Sequence, residues 1–255
     1  MAVTLECELV VGLRALRQAI AAVVPHAEPT KTGDEISKLS RVRITAGKDE
    51  LLVMATNSVT VAMAAVEIEE DSRSERFAAD DGIFSIDAMP GHIRSILASF
   101  KVSRPTADAD EVYAQVQISS QQVKVLDTDG MLPGMPPGFE TAFPTLGLAD
   151  GFPDIPGILQ RTFSSAMGSP GVKPLISEAK PLALFRHAAV AYGQALTFEP
   201  TGTAESRGWA VWCGSQFAGL ISSTDPSGNS LGHRDQERQT ILRRLGLDKP
   251  VRVVS

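Results

Sequence analysis

Few side chains in this sequence have the type and setting for covalent chemistry. Cys213, in Trp212-Cys213-Gly214-Ser215, could act as a nucleophile with His187 as base, given a lowered thiol pKa and an oriented partner. The local pattern points elsewhere. Val211 and Cys213 fall on one face of an alternating strand, the setting of a buried structural thiol. His187 lies in a helix that is apolar nearly all round and is expected to pack in the core. Glu67, Glu69, Glu70 and Asp71 gather carboxylates but lack the ligand spacing of a calcium loop, and they read as a solvated turn. Two cysteines cannot build a zinc site made mainly of thiolates. No glycine-rich phosphate loop or nucleotide fingerprint occurs. The expectation is a chain with no catalytic residue, no metal and no cofactor.

The cations carry more information. Arg14 and Arg17 share one side of a helical run whose apolar residues, Leu13, Leu16, Ile20, Val23 and Val24, take the other. Arg94 and Lys101 repeat that arrangement on a second helix, with Arg104 just beyond, and Arg186 belongs to a third, more apolar one. A solvated helix face is the ordinary fate of such residues; a surface for a polyanion is the functional alternative. The formal net charge of -6 excludes coating nucleic acid by bulk attraction and leaves a local basic surface open.

Three strand–helix units must position these cations, giving an α+β fold of repeated β-α-β-β(β) units. The first has a strand at Val3 to Glu8, a helix from Val10 to Val24 ended by Pro25, and an exposed loop from Glu28 to Lys38. Strands at Arg41 to Thr45, Leu51 to Thr56 and Thr60 to Ile68 complete it. In the second, a strand from Gly82 to Ile86 leads to Asp87 as a helix N-cap, with Pro90 in the first turn. Ile93, Ile96, Leu97 and Phe100 are that helix's buried stripe, and Val112 to Ser119 forms a hairpin with Val123 to Leu126. The third has a strand at Val172 to Ser177 and a helix from Leu182 to Tyr192, with Phe185, Ala189 and Tyr192 as its stripe. A strand from Ala195 to Glu199 follows, then a turn at Pro200-Thr201-Gly202 and a longer strand or pair from Trp209 to Ile221. Asp87-Ala88-Met89-Pro90 is echoed by Glu178-Ala179-Lys180-Pro181, each between an apolar run and a helix, as expected of a tiled architecture.

Residues 1–130 thus form a first domain of two units and residues 161–223 a second with one clear unit. Between them, 131–160 is a Pro- and Gly-rich connector whose Phe139, Phe143, Phe152 and Ile155 anchor it against a domain. Residues 224–255 are a polar linker and a short basic helix around Asp235 to Leu245. At 255 residues, 43% hydrophobic and 21% charged, the composition is that of a soluble globular chain with a real core. No run approaches the ~18 apolar residues of a membrane span, and the N-terminus lacks the zones of a signal peptide. Two cysteines fit a reducing, cytoplasmic setting, and the excess of Arg over Lys with many Ala fits a GC-rich bacterial or phage genome.

Leu13-Arg14-Ala15-Leu16-Arg17-Gln18-Ala19-Ile20, followed by Leu39 to Ile44 and Leu51 to Asn57, resembles the opening of a bacterial DNA sliding-clamp domain. Gly82 to Ala88 is similar to the second half-domain of that family. Gly151-Phe152-Pro153-Asp154-Ile155-Pro156 resembles the phenylalanine–proline–acid segment near the first domain junction of the DNA polymerase III beta subunit. The resemblance covers residues 3–157 and, less fully, 170–222. The group also includes proliferating cell nuclear antigen and phage processivity factors.

The resemblance implies sheets outside and helices lining an inner, DNA-facing surface. Arg14, Arg17, Arg94, Lys101, Arg104 and Arg186 would then attract phosphates without reading bases. It implies a non-enzymatic processivity factor that encircles duplex DNA as a homo-oligomer and binds a DNA polymerase and a clamp loader. Chain length favours a trimer, with a dimer or a tetramer as the alternatives, whereas three units per chain do not tile the familiar rings in three copies. The 131–160 segment is either a covered connector or the border of a groove for partner peptides, in which case Phe152, Pro153 and Ile155 line it. Two alternatives stand: a non-ring clamp-fold adaptor or decoy, and a small cytosolic enzyme using a site such as Cys213.

Overall fold

In the first unit, alternating apolar residues build β1 (Cys7–Gly12), β2 (Val42–Ala46), β3 (Glu50–Thr56) and β4 (Thr60–Glu67) around helix α1 (Leu13–Val23). These come from a computed structural model that describes residues 7–30, 36–69, 83–100, 112–127, 139–166, 179–201 and 208–222. The strand expected to end at Glu8 runs on to Gly12, and the helix starts at Leu13 rather than Val10. Val10 and Val11 are drawn into the sheet by pairing with Gln115 and Ala114. Pro25, which has no N–H to give, turns the end of α1 into a 3-10 turn at Val24–His26.

The second unit comprises β5 (Phe84–Ala88), α2 (Pro90–Ser99), β6 (Tyr113–Ile118), β7 (Gln122–Asp127) and β8 (Glu140–Pro144). Strand β8 falls in the stretch expected to be connector. It pairs with β7, buries Phe143, and ends in a proline that an edge strand tolerates. Helix α3 (Ile155–Ala166) follows.

The third unit holds α4 (Ala179–Leu184), α5 (Arg186–Tyr192), β9 (Thr197–Thr201), β10 (Gly208–Cys213) and β11 (Phe217–Ser222). The single helix expected from Leu182 to Tyr192 is broken at Phe185, whose ring is fully buried. The turn expected at Pro200 is displaced, since Pro200 lies within β9 opposite Trp209. The expected long strand is a hairpin turned at Gly214, whose φ of 60° suits glycine. The expected strand at Val172 to Ser177 and the basic helix at Asp235 to Leu245 lie outside the described residues. The described residues all fall within one compact unit.

One sheet has the order β1-β6-β7-β8, the other β5-β2-β3-β4-β11-β10-β9. Strand β11 adds antiparallel to β4, so the third unit continues the sheet of the first. Isolated bridges at Val11–Ile68 and Asp87–Leu146 link the two sheets. The main core, including Leu9, Ile20, Val53, Ile93, Val116 and Phe217, fills the space between sheets and helices. At the β4–β11 seam, His26 meets Phe185 edge-on with centroids 4.7 Å apart. Gly219 is required there, because a Cβ would lie 2.6 Å from the Phe185 ring and 2.8 Å from the Val61 carbonyl oxygen.

His26 is fully buried, with Nδ1 3.0 Å from Thr60 Oγ1. Burial and the neighbouring His187 push its pKa down to about 3 from 6.5. Between those values the unfolded chain binds the extra proton and the folded chain does not. Stability should therefore fall on acidification through this window, by up to about 1.4 kcal/mol per pH unit. Urea denaturation from pH 7 to 4 should show this slope, flattened in His26→Gln.

Candidate nucleic-acid interface

Helix α1 lies between α2 and α5 and packs on β3 and β4. Leu13, Leu16, Ala19, Ile20 and Val23 face the core, and the helical period puts Arg14 on the solvent side. Ile93 and Ile96 do the same for Arg94, as Ala188 does for Arg186. None of α1, α2, α4 or α5 contains Asp or Glu. Exposed carboxylate residues such as Glu50, Glu67 and Glu140 lie on strands. The helical layer is thus cationic in a chain of net charge -6. His187, expected in the core, is exposed on this layer beside Arg186, and among the described residues the buried histidine is His26. Lys101 and Arg104 lie outside the described residues.

Arg17 behaves differently from the expectation of a free, outward cation. Its Nη1 donates to the carbonyls of Leu97 (2.8 Å), Ile96 (3.5 Å) and Phe100. The last carbonyls of a helix have no partner within it and carry partial negative charge, so Arg17 caps α2 from the neighbouring helix. Burial lowers its pKa. Arg17→Met keeps the packing stem and loses the cap. We expect a loss of about 1–3 kcal/mol, with faster amide exchange in the last turn of α2.

On the other side of the sheet, Asp87 is a strand residue and not the N-cap expected. Met89 holds the cap position without a side-chain bond. The Asp87 carboxylate is fully buried and takes two bonds from Arg43, Nε to Oδ1 at 2.8 Å and Nη2 to Oδ2 at 3.1 Å. Oδ2 also accepts the Ala149 N–H at 2.7 Å, and the Asp87 carbonyl accepts that of Leu146 at 2.7 Å. Arg41 donates to the Gly147 carbonyl at 2.8 Å, and the Arg43 guanidinium lies 4.2 Å from the centroid of the Phe152 ring. The connector is pinned to β2 and β5. The available sequence signal was Arg41-Val42-Arg43, two cations alternating onto one strand face.

Phe152 and Ile155 are not the walls of an open groove. They are 9% and 0% exposed, packed with Leu159 against Met54, while Pro153 is half-buried. Asp154 accepts the Gly157 N–H at 3.0 Å and so starts α3.

The thiol chemistry is unsupported. Cys213 is buried against the carbonyls of Ala188 and Gln194, and burial raises its pKa. Cys7 is likewise pushed up to about 11. Both are held as thiols, the unreactive form. Among the described residues no group of three His, Cys, Asp or Glu could hold a metal, and no helix is long and apolar enough to cross a membrane.

No protein-family model matches the sequence, and no curated protein does. Solved structures do. The beta subunit of DNA polymerase from Streptococcus pyogenes matches with a TM-score of 0.54 at 14% identity, over 88% of this chain and 67% of that one. The DNA polymerase sliding clamp from Bacillus subtilis matches with a TM-score of 0.55 at 12% identity, over 89% and 66%. That from Pseudomonas aeruginosa matches with a TM-score of 0.55 at 10% identity, over 88% and 67%. The chain spans about two thirds of the length of these clamps. At such identities the likeness speaks for architecture alone: the fold of this chain is that of the DNA sliding clamps.

Proposed function

We propose that this chain is a non-enzymatic DNA tether, a clamp-fold processivity factor whose helical layer rides on duplex DNA while its outer surface holds replication proteins. The observation that carries this reading is the acid-free helical layer, with Arg14, Arg94 and Arg186 on its solvent side. Such a surface attracts phosphate and reads no base, which permits sliding. Screening over ~8 Å at physiological salt keeps that attraction local, so the net negative charge elsewhere is compatible with it. Lys101 and Arg104 belong to the same proposed surface; Arg17 does not, being committed to α2.

Encirclement requires further copies. Strand β4, last of the first unit, is paired by β11, whereas among the described residues β8, last of the second, has no strand on its outer edge. An open edge is a site for strand addition, and a second copy closing there fits a homo-oligomer. A polymerase and a loader are the partners such a ring would serve, by raising the effective concentration of polymerase at the primer end. The test is retention on closed circular against linear duplex DNA. Circles should hold the protein after linear DNA has shed it from its ends. Equal retention on both would replace the ring with the adaptor reading.

A further inference from the structure

Between the connector and the segment leading into β2 lies a cleft of about 610 Å³, lined chiefly by Ile36, Lys38, Arg41, Leu146, Leu148 and Asp150. Its size is that of a small-molecule site. Its charge does not balance. The buried Asp87 faces both Arg41 and Arg43, but its oxygens are bonded by Arg43 and the Ala149 N–H. Arg41 Nη1 stays 3.8 Å from Asp87 Oδ2, beyond hydrogen-bonding distance. The Arg41 guanidinium donates instead to two neutral carbonyls, those of Gly147 and Ile36, and its Nε is buried without a partner. Lys38 is exposed and reaches over the connector, where a Cβ on Gly151 would lie 3.2 Å from its Nζ. Among the described residues Lys38 has no ion pair, and Asp150 is the one carboxylate in the lining against two cations. Beside these cations the cleft is apolar, and Leu148 is left 56% exposed.

We propose that this cleft binds a small organic anion: a carboxylate or phosphate head joined to an apolar body. The head sits between Arg41 and Lys38, supplying the counter-charge that Asp87 gives only to Arg43. The body covers Ile36, Leu146 and Leu148. Such a ligand touches the connector and the approach to β2 at once, so its binding fastens the connector to the sheet. The proposal stands apart from the tether reading and needs neither DNA nor a ring.

The test titrates the full chain, without DNA, with octanoate, thymidine 5′-monophosphate and inorganic phosphate. At least one organic anion should bind about tenfold or more tighter than inorganic phosphate, and which one does so tells a carboxylate head from a phosphate head. Lys38→Glu should weaken that binding about 10–100-fold, the worth of a bond to a charged group. Leu148→Asp should weaken it at least about tenfold, whereas Lys124→Glu, on β7, should leave it unchanged. At ten times its Kd the ligand should slow proteolysis between Leu146 and Phe152 about tenfold. Amide shifts of the wild-type chain give the place without any variant: they should centre on residues 36–41 and 146–150. Shifts centred on the helical layer instead overturn the proposal. So do organic anions that bind no tighter than inorganic phosphate at about millimolar concentration, or binding that survives both Lys38→Glu and Leu148→Asp.

Discussion

The triple variant Arg14→Glu/Arg94→Glu/Arg186→Glu is expected to lose retention on circular DNA at physiological salt while unfolding near the wild-type temperature. All three residues are exposed, and exposed substitutions shift stability by roughly 0.5 kcal/mol or less. Each cation that meets a phosphate contributes about 0.9 to the slope of log affinity against log salt. Removing three should reduce that slope by about 2–3, before counting the repulsion added by three carboxylates. The slope is the informative measurement, because misfolding would lower affinity without changing it in this graded way. Single variants should each lose about a third of the effect. If the triple variant kept the wild-type slope, the helical layer would not be the DNA surface.

Asp87→Ala is expected to produce the largest loss of stability. It leaves the half-buried Arg43 guanidinium without its carboxylate and releases the N–H of Ala149. Breaking a buried pair by removing one partner costs about 3–5 kcal/mol. Arg43 keeps some access to solvent, which places the expectation at about 3 kcal/mol. The denaturant midpoint reports the size of the effect. Limited proteolysis reports its place: cleavage should appear first between Leu146 and Phe152, which the network fastens to the sheet. A variant cut no faster there than wild type would mean the connector is held by packing alone.

What the sequence made legible follows from periodicity. The stripe Leu13, Leu16, Ile20, Val23 located α1 and so set Arg14 outward; Ile93 and Ile96 did the same for Arg94. What it concealed depended on partners remote in sequence. Arg17 has the same residue type and nearly the same helical bearing as Arg14, and only the arrival of the α2 carbonyls decides between them. Asp87 precedes a proline-led helix, as an N-cap does, yet its register opposite Arg43 makes it a buried counter-ion. Strand β8 hid among prolines because an edge strand with one buried side chain has almost no alternation to display. Phe152 and Ile155 were recognisable as anchors, but a segment's own sequence cannot say whether it lines a surface or covers one.

The pairing of β4 with β11 also has a consequence in time. Strand β4 is complete at Glu67, but the strand that covers its edge ends at Ser222, about 150 residues later. At synthesis rates of ~5–20 residues per second, the nascent chain carries that edge uncovered for roughly 8–30 s. A row of unpaired backbone donors and acceptors beside Val61 and Met63 is a template for strands of other chains. Expression yield of this chain should therefore depend on how the ribosome or a chaperone shields β4 until the third unit emerges.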